Sequence, residues 1–148
     1  MENAIFTTLC MLSDGDGRIL LQERRGTNWD GFAFPGGHVE KGESFTESVI
    51  REVKEETGYT VIEPRLCGIK HFPTADGCRY VILLFMADRF HGELRSSEEG
   101  TVSWVNRAEL GNLNLARDMR EMLEIFEGGR IREFYCREEN GKWESKLY

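Results

Sequence analysis

The sequence predicts a mixed α/β fold, of α+β character, and three observations predict it. Runs of β-forming residues occur in both halves of the chain. Residues 44–57 carry helical periodicity with matching start and stop signals. Residues 116–129, "ARDMREMLEIFEGG", repeat Met119, Met122, Leu123 and Phe126 on one helical face. The order is strands, helix, strands, helix, strands, which implies a mixed central β-sheet with two main helices.

Each element has a local reason. "AIFTTLCML" and "RILLQERR" flank the turn-forming "DGDG" and read as a β-hairpin. A calcium loop starting at Asp14 would need Gly at its sixth position, where this chain has Ile19. "GTNWDGFAFPGG" has Gly, Pro and aromatics without a period, and reads as a structured loop or a short strand before a turn. In the first helix, Ser44 and Glu47 form a capping box and Gly58 is a natural stop. "RLCGIKHFP" and "CRYVILLFMADRF" are strands joined around "TADG", with Pro73 at a strand end, and "GTVSWV" is another strand. Asn-Gly within "REFYCREENGKWESKL" predicts a C-terminal β-hairpin.

The 148 residues fit one domain, 1–148, without repeat or linker. Nineteen basic and 26 acidic residues give a net charge of −7. That balance disfavours stable nucleic-acid or membrane binding. Cys10, Cys67, Cys78 and Cys136 form no Cys-x-x-Cys pair and read as reduced, buried thiols. No signal peptide or membrane span is evident, so a cytoplasmic protein is expected.

One stretch resists a purely structural reading. Glu52, Glu55 and Glu56 fall within five residues of the first helix. On a helical wheel Val49, Ile50 and Val53 form the apolar stripe beside Phe45, while Glu47, Arg51 and Lys54 lie on the wet face. Glu52 and Glu56 border the apolar stripe, and Glu55 lies close by. Glu52 and Glu56 are also a like-charge i,i+4 pair, unfavourable by roughly 0.2–0.5 kcal/mol even in water. A solvated acidic face would instead sit opposite the stripe. Clustered carboxylate oxygens suit a hard divalent cation, Mg²⁺ or Mn²⁺, that bridges to substrate phosphates. The adjoining Gly36–Gly37 pair allows close approach of backbone to ligand.

With these residues in view, the chain resembles a known family. Gly37, five residues, Glu43, seven residues, then Arg51-Glu52-Val53-Lys54-Glu55-Glu56-Thr57-Gly58-Tyr59 resembles the signature box of the Nudix hydrolases. The departure is Tyr59, where the family pattern has a bulky aliphatic residue. The resemblance implies a Nudix α/β/α sandwich and hydrolysis of nucleoside diphosphate-linked compounds. It implies that Glu52, Glu55 and Glu56, with the Gly36 carbonyl, bind Mg²⁺ or Mn²⁺. It implies that Glu43 pairs with Arg51, and that the catalytic group includes Glu52, Arg51 and Glu43. The general base varies in the family, and Glu98 and Glu99 in "SSEEGTVSWV" are its candidates here beside the box glutamates.

Length and element order look most like the MutT-type members, which hydrolyse nucleoside triphosphates such as 8-oxo-dGTP. That likeness places Arg25 near a phosphate, Phe34 against the base and Asn114 on a purine edge. Each has a structural alternative: Arg25 a solvated strand end, Phe34 core, Asn114 a helix N-cap, Glu98 and Glu99 solvated loop acids. Trp29 and Trp104 read as core or as base-stacking residues. His38 departs from the lysine of the MutT-type "PGGK". ADP-ribose and other nucleotide derivatives are the alternative substrates, and a non-catalytic nucleotide sensor the alternative class. The expected partner is a small nucleotide, with the protein a monomer or homodimer.

Overall fold

The computed structural model describes residues 1–24 and 30–148. Its centre is a six-stranded mixed sheet. The strands are β1 (Ala4–Leu12), β4 (Gly36–His38), β6 (Arg65–Pro73), β7 (Arg79–Ala87), β10 (Glu133–Glu139) and β11 (Lys142–Leu147). Their order is β11-β10-β6-β7-β1-β4. The β1–β7 and β10–β6 pairs are parallel, and the other pairs antiparallel. A second sheet joins β3 (Gly31–Ala33), β2 (Arg18–Arg24) and β9 (Thr101–Asn106). A two-stranded ribbon pairs β5 (Tyr59–Val61) with β8 (Phe90–Gly92).

Strand alternation explains the layers. Along β1, Cys10 and Leu12 face one core, and Met11 faces another. Along β7, Leu83 and Phe85 join the first, and Ile82 and Leu84 the second. A sheet buried on both faces needs apolar residues at successive positions. Helix α1 (Phe45–Thr57) closes the first core with Val49 and Val53. Helix α2 (Met119–Gly128) closes the second with Met119, Met122, Ile125 and Phe126. The result is the expected α/β/α sandwich with a mixed sheet. Among the described residues no helix is long and apolar enough to cross a membrane.

Several expectations need correction. β1 and β2 do not form a hairpin: they belong to different sheets and share one bridge, Ser13–Ile19. Asp14 Oδ1 accepts from the amides of Asp16 and Arg18 at 2.8 and 3.0 Å, turning the chain there. β2 then pairs with β9 instead, where Leu20 and Leu21 are buried on its opposite faces. The second helix begins at Met119, where its apolar repeat starts but three residues into the expected segment 116–129, and its N-cap position is Asp118 rather than Asn114. A 3₁₀ helix at Arg107–Asn112 went unread. Phe45 is partly exposed and packs on Phe6, with ring centroids 5.3 Å apart, rather than joining the buried stripe. The C-terminal hairpin, the β6–β7 hairpin and the end of β6 at Pro73 are as expected. All four cysteines are free thiols, with Cys10, Cys67 and Cys136 buried.

Candidate active site

The ends of α1 fix its middle. Ser44 accepts from the Glu47 amide, and the Glu47 carboxylate accepts from the Ser44 amide, at 3.1 and 2.8 Å. Gly58, in a left-handed conformation, donates its amide to the Lys54 carbonyl. Between these caps the helix lies against β4 so that its acidic edge meets the Gly36–Gly37 backbone.

Glu56 is the innermost acid, 2% exposed. Its Oε2 accepts from the Gly36 amide at 2.9 Å. Its Oε1 is buried and has no hydrogen-bond partner among the described residues. Burial first, and then the neighbouring Glu99 carboxylate, push its pKa from 4.5 up to about 9. Glu52 is also raised, chiefly by burial, with Arg51 opposing. Glu55 is the outermost of the three, with a side chain 59% exposed.

Arg51 is the hub of this edge. Its Nε and Nη2 donate to the two oxygens of Glu43 at 2.7 and 3.0 Å, a bidentate pair. Nη2 also reaches the His38 carbonyl at 3.0 Å, which ties helix to loop. Nη1 donates to Glu52 at 2.8 Å and to Glu55 at 3.3 Å. The Arg51 guanidinium holds the Glu43 carboxyl down at about 2. The Glu43–Arg51 pairing implied by the family resemblance is therefore present in the geometry.

Close approach bears on both glycines, against backbone at Gly36 and against a side-chain end at Gly37. A Cβ on Gly36 would stand 1.9 Å from the Thr8 carbonyl oxygen. A Cβ on Gly37 would stand 2.4 Å from Glu52 Oε2. The missing side chains let α1 sit flush on the loop and leave the Glu52 carboxylate its position.

A cleft of about 410 Å³ opens from this edge. Its lining includes an acidic group beside α1, with Gly37, Glu40, Glu52, Glu99 and Arg24, and an apolar group from the α2 core, Phe34, Ile82, Met119 and Met122, together with Arg117. Lys70 is also in the wall, buried, with Nζ 2.6 Å from Asp118 Oδ2. An acidic part and an apolar part suit a ligand with a charged and a flat, uncharged portion.

The candidates from sequence separate on this geometry. Glu99 lines the cleft; Glu98 is exposed and is not among the lining residues. Phe34 is fully buried yet lines the cleft, so it serves core and wall at once. Asn114 is exposed and outside the lining, and its carbonyl accepts from the Phe32 amide at 2.8 Å. Arg25 and Trp29 lie outside the described residues. Trp104 packs with Tyr59 and Phe90, ring centroids 6.1 and 5.6 Å away, on the α1 side of the fold. Sequence reasoning missed Arg24, Lys70 and Arg117. Their only sequence signal is a cation beside an apolar run, which also describes many surface residues.

The donor set at the acidic edge fits a divalent cation. It consists of hard carboxylate oxygens, and one of them, Glu56 Oε1, is buried with no hydrogen-bond partner among the described residues. Among the described residues no three acidic, histidine or cysteine side chains already surround one point. Arg51 Nη1 holds Glu52 and Glu55 in the positions seen.

Comparison with known proteins gives a consistent picture. Residues 5–126 match the NUDIX domain family model. A Nudix hydrolase of Bacillus subtilis, YvcI, of uncharacterized activity, is 36% identical over 128 residues, spanning 83% of this chain and 79% of its own. An ADP-ribose pyrophosphatase of Methanocaldococcus jannaschii is 35% identical over 128 residues, spanning 85% and 70%. Among solved structures, a MutT protein from Bacillus halodurans superposes with a TM-score of 0.74 at 27% identity, covering 97% of both chains. With the acidic helix, the glycine pair and the Glu43–Arg51 brace in place, the chain belongs to the Nudix family and is a hydrolase of phosphoric anhydrides.

Proposed function

We propose that this chain is a MutT-type nucleoside triphosphate pyrophosphohydrolase, dependent on Mg²⁺ or Mn²⁺. It cleaves dGTP, 8-oxo-dGTP or a related triphosphate to the monophosphate and pyrophosphate. The observation that carries the reading is the cleft itself. Buried Glu56 Oε1, without a hydrogen-bond partner among the described residues, lies at the acidic edge near Glu52 and Glu99, and the same cleft has an apolar wall.

Glu52, Glu55 and Glu56, with the Gly36 carbonyl, would hold the cation. When bound it neutralises phosphate charge and polarises the phosphorus–oxygen bonds. Glu56 enters this role by losing the proton that burial makes it keep. Glu52 and Glu55, which accept from Arg51 Nη1 here, would turn to the cation, with Arg51 anchored through Nε and Nη2 to Glu43. Glu99, in the cleft wall, takes the proton from the attacking water. Arg24, of the same lining group, faces the triphosphate. Phe34, Ile82, Met119 and Met122 exclude water from the base.

One observation favours a second substrate. The relative that is 35% identical over 85% of this chain acts on ADP-ribose. The two readings differ in products, so a substrate panel with product identification separates them. Incubation with Mg²⁺ and dGTP, 8-oxo-dGTP, other triphosphates or ADP-ribose is followed by chromatography. Monophosphate plus pyrophosphate supports the triphosphatase. AMP plus ribose 5-phosphate from ADP-ribose alone overturns it in favour of the second reading. No turnover of any compound removes both.

A further inference from the structure

We propose that Trp143, on the C-terminal hairpin, is a positioning residue for substrate recognition. It holds the Arg117 guanidinium in the wall of the cleft, ready to stack on the substrate's base. This extends the nucleotide-hydrolase reading to the far end of the substrate and rests on it.

The hairpin β10–β11 lies beyond residue 126, where the family match ends. It nevertheless reaches the cleft. Phe134 and Cys136 on β10 point into the core beneath α2, and Glu138 follows on the same face by strand alternation. Trp143 pairs with Glu138 across the hairpin, so it projects toward the start of α2. There the Arg117 guanidinium carbon lies 6.0 Å from the Trp143 ring centroid. Arg117 in turn lines the cleft beside Phe34, Met119 and Met122.

Three facts argue against a merely decorative contact. First, Trp143 is 50% exposed, so core burial does not account for a residue of this size there. Second, among the described residues Arg117 has one loose ionic contact, Nε to Asp118 Oδ2 at 3.9 Å. That same oxygen already takes the 2.6 Å bond from buried Lys70. Third, Arg117 lines the cleft together with the apolar Phe34, Met119 and Met122, and among the described residues its ionic neighbour is Asp118 rather than Glu52 or Glu99. A guanidinium has two flat faces. With one against an indole, the other offers a rigid, sequence-tolerant platform for a heterocycle. Lysine has no such plane, and an unsupported arginine would lose side-chain freedom on binding.

Product mononucleotides test this without turnover. Binding of dGMP and of AMP to the full chain is measured by isothermal titration calorimetry. Wild type is expected to bind at least one of them. Trp143→Ala should weaken that binding about 5–10-fold and Trp143→Phe less than about 2-fold, the scale of one cation–π contact. Arg117→Ala should weaken it at least as much as Trp143→Ala, and Arg117→Lys should not restore it. The double variant Trp143→Ala/Arg117→Ala should bind no more weakly than Arg117→Ala, because the tryptophan acts through the arginine. With a turned-over substrate, Trp143→Ala should raise KM and leave kcat within about 2-fold. Unchanged affinity in Trp143→Ala, additive losses in the double variant, or no mononucleotide binding by wild type would each overturn the platform. Turnover in the substrate panel reports on the hydrolase reading separately, so either can fail alone.

Discussion

The two helices of this fold solve opposite problems. α1 is secured at both ends and burdened in its middle. Its capping box and left-handed Gly58 stop satisfy the termini, while its inner edge carries Glu52 and Glu56 toward the protein interior. α2 is well packed along its length and compromised at its start. Met119, Met122, Ile125 and Phe126 are all nearly fully buried. Yet its N-cap, Asp118, adopts a left-handed conformation at φ 66° and makes no capping bond, because its carboxylate goes to Lys70 in the cleft wall. Stability is thus spent in a different place on each helix, and both places line or adjoin the same cleft. A residue that breaks a local rule without structural gain marks function.

The largest test of this contrast is Glu56→Gln. It keeps the shape and removes the ionisable carboxyl that α1 buries at a cost. Turnover should fall about 10²–10⁴-fold, while the metal-free protein should stay folded. Its pH response carries the sign. Glu56 has a folded pKa near 9 against 4.5 unfolded, so between those values the folded chain holds a proton that the unfolded chain has lost. Stability of the metal-free protein therefore falls as pH rises through that window. Thermal melts at pH 5, 7 and 9 should show a shallower fall for Glu56→Gln. An equally steep fall would mean that Glu56 is not the titrating group.

The glycine pair sharpens the comparison within the acidic edge. Ala at Gly37 meets only the end of the Glu52 side chain, which can move. Activity should drop about 10–100-fold with little change in melting temperature, as when a ligand's supporting shell is disturbed. Ala at Gly36 meets the β1 backbone at Thr8. That variant should lose several kcal/mol of stability, on the order of the largest single-site effects. Equal stability for the two variants would contradict the geometry.

How much of this was legible beforehand follows from which interactions are local. The first helix, its caps and its anomalous acids are local, because the 3.6-residue period sets the faces and Ser44, Glu47 and Gly58 set the ends. β1 and the C-terminal hairpin were legible for the same reason. The β1–β2 relation was not, because partner choice depended on β9, some eighty residues away. Asn114 and Glu98 stand exposed outside the cleft lining for a similar cause: proximity in sequence to a useful segment does not fix which side chain enters a cleft. Lys70, Asp118, Arg117 and Trp143 come from β6, the α2 entry and β11, and only the folded sheet brings them together.

On α2, Asp118→Ala should be expensive although it removes no capping bond. It leaves the Lys70 ammonium, 2% exposed, without its 2.6 Å partner. Breaking one side of a buried pair costs about 3–5 kcal/mol. Urea unfolding would read this directly, and Asp118→Ala with Lys70→Met should recover most of the loss. A small effect in the single variant would mean that the other contacts of the ammonium, among them the Phe72 and Phe134 rings, hold it without Asp118.

The smallest effect belongs to the cap that α1 does have. Ser44→Ala removes the acceptor for the Glu47 amide but leaves no buried charge behind. The expected cost is about 1 kcal/mol, or roughly 2–4 °C in melting temperature for a chain of this size. Turnover should hardly change, since the brace from Arg51 to Glu43 and the His38 carbonyl still ties the helix to the loop. A Ser44→Ala variant that lost activity in proportion to Gly37→Ala would overturn this division of labour. It would mean that the cap, rather than the arginine brace, sets the position of the carboxylates.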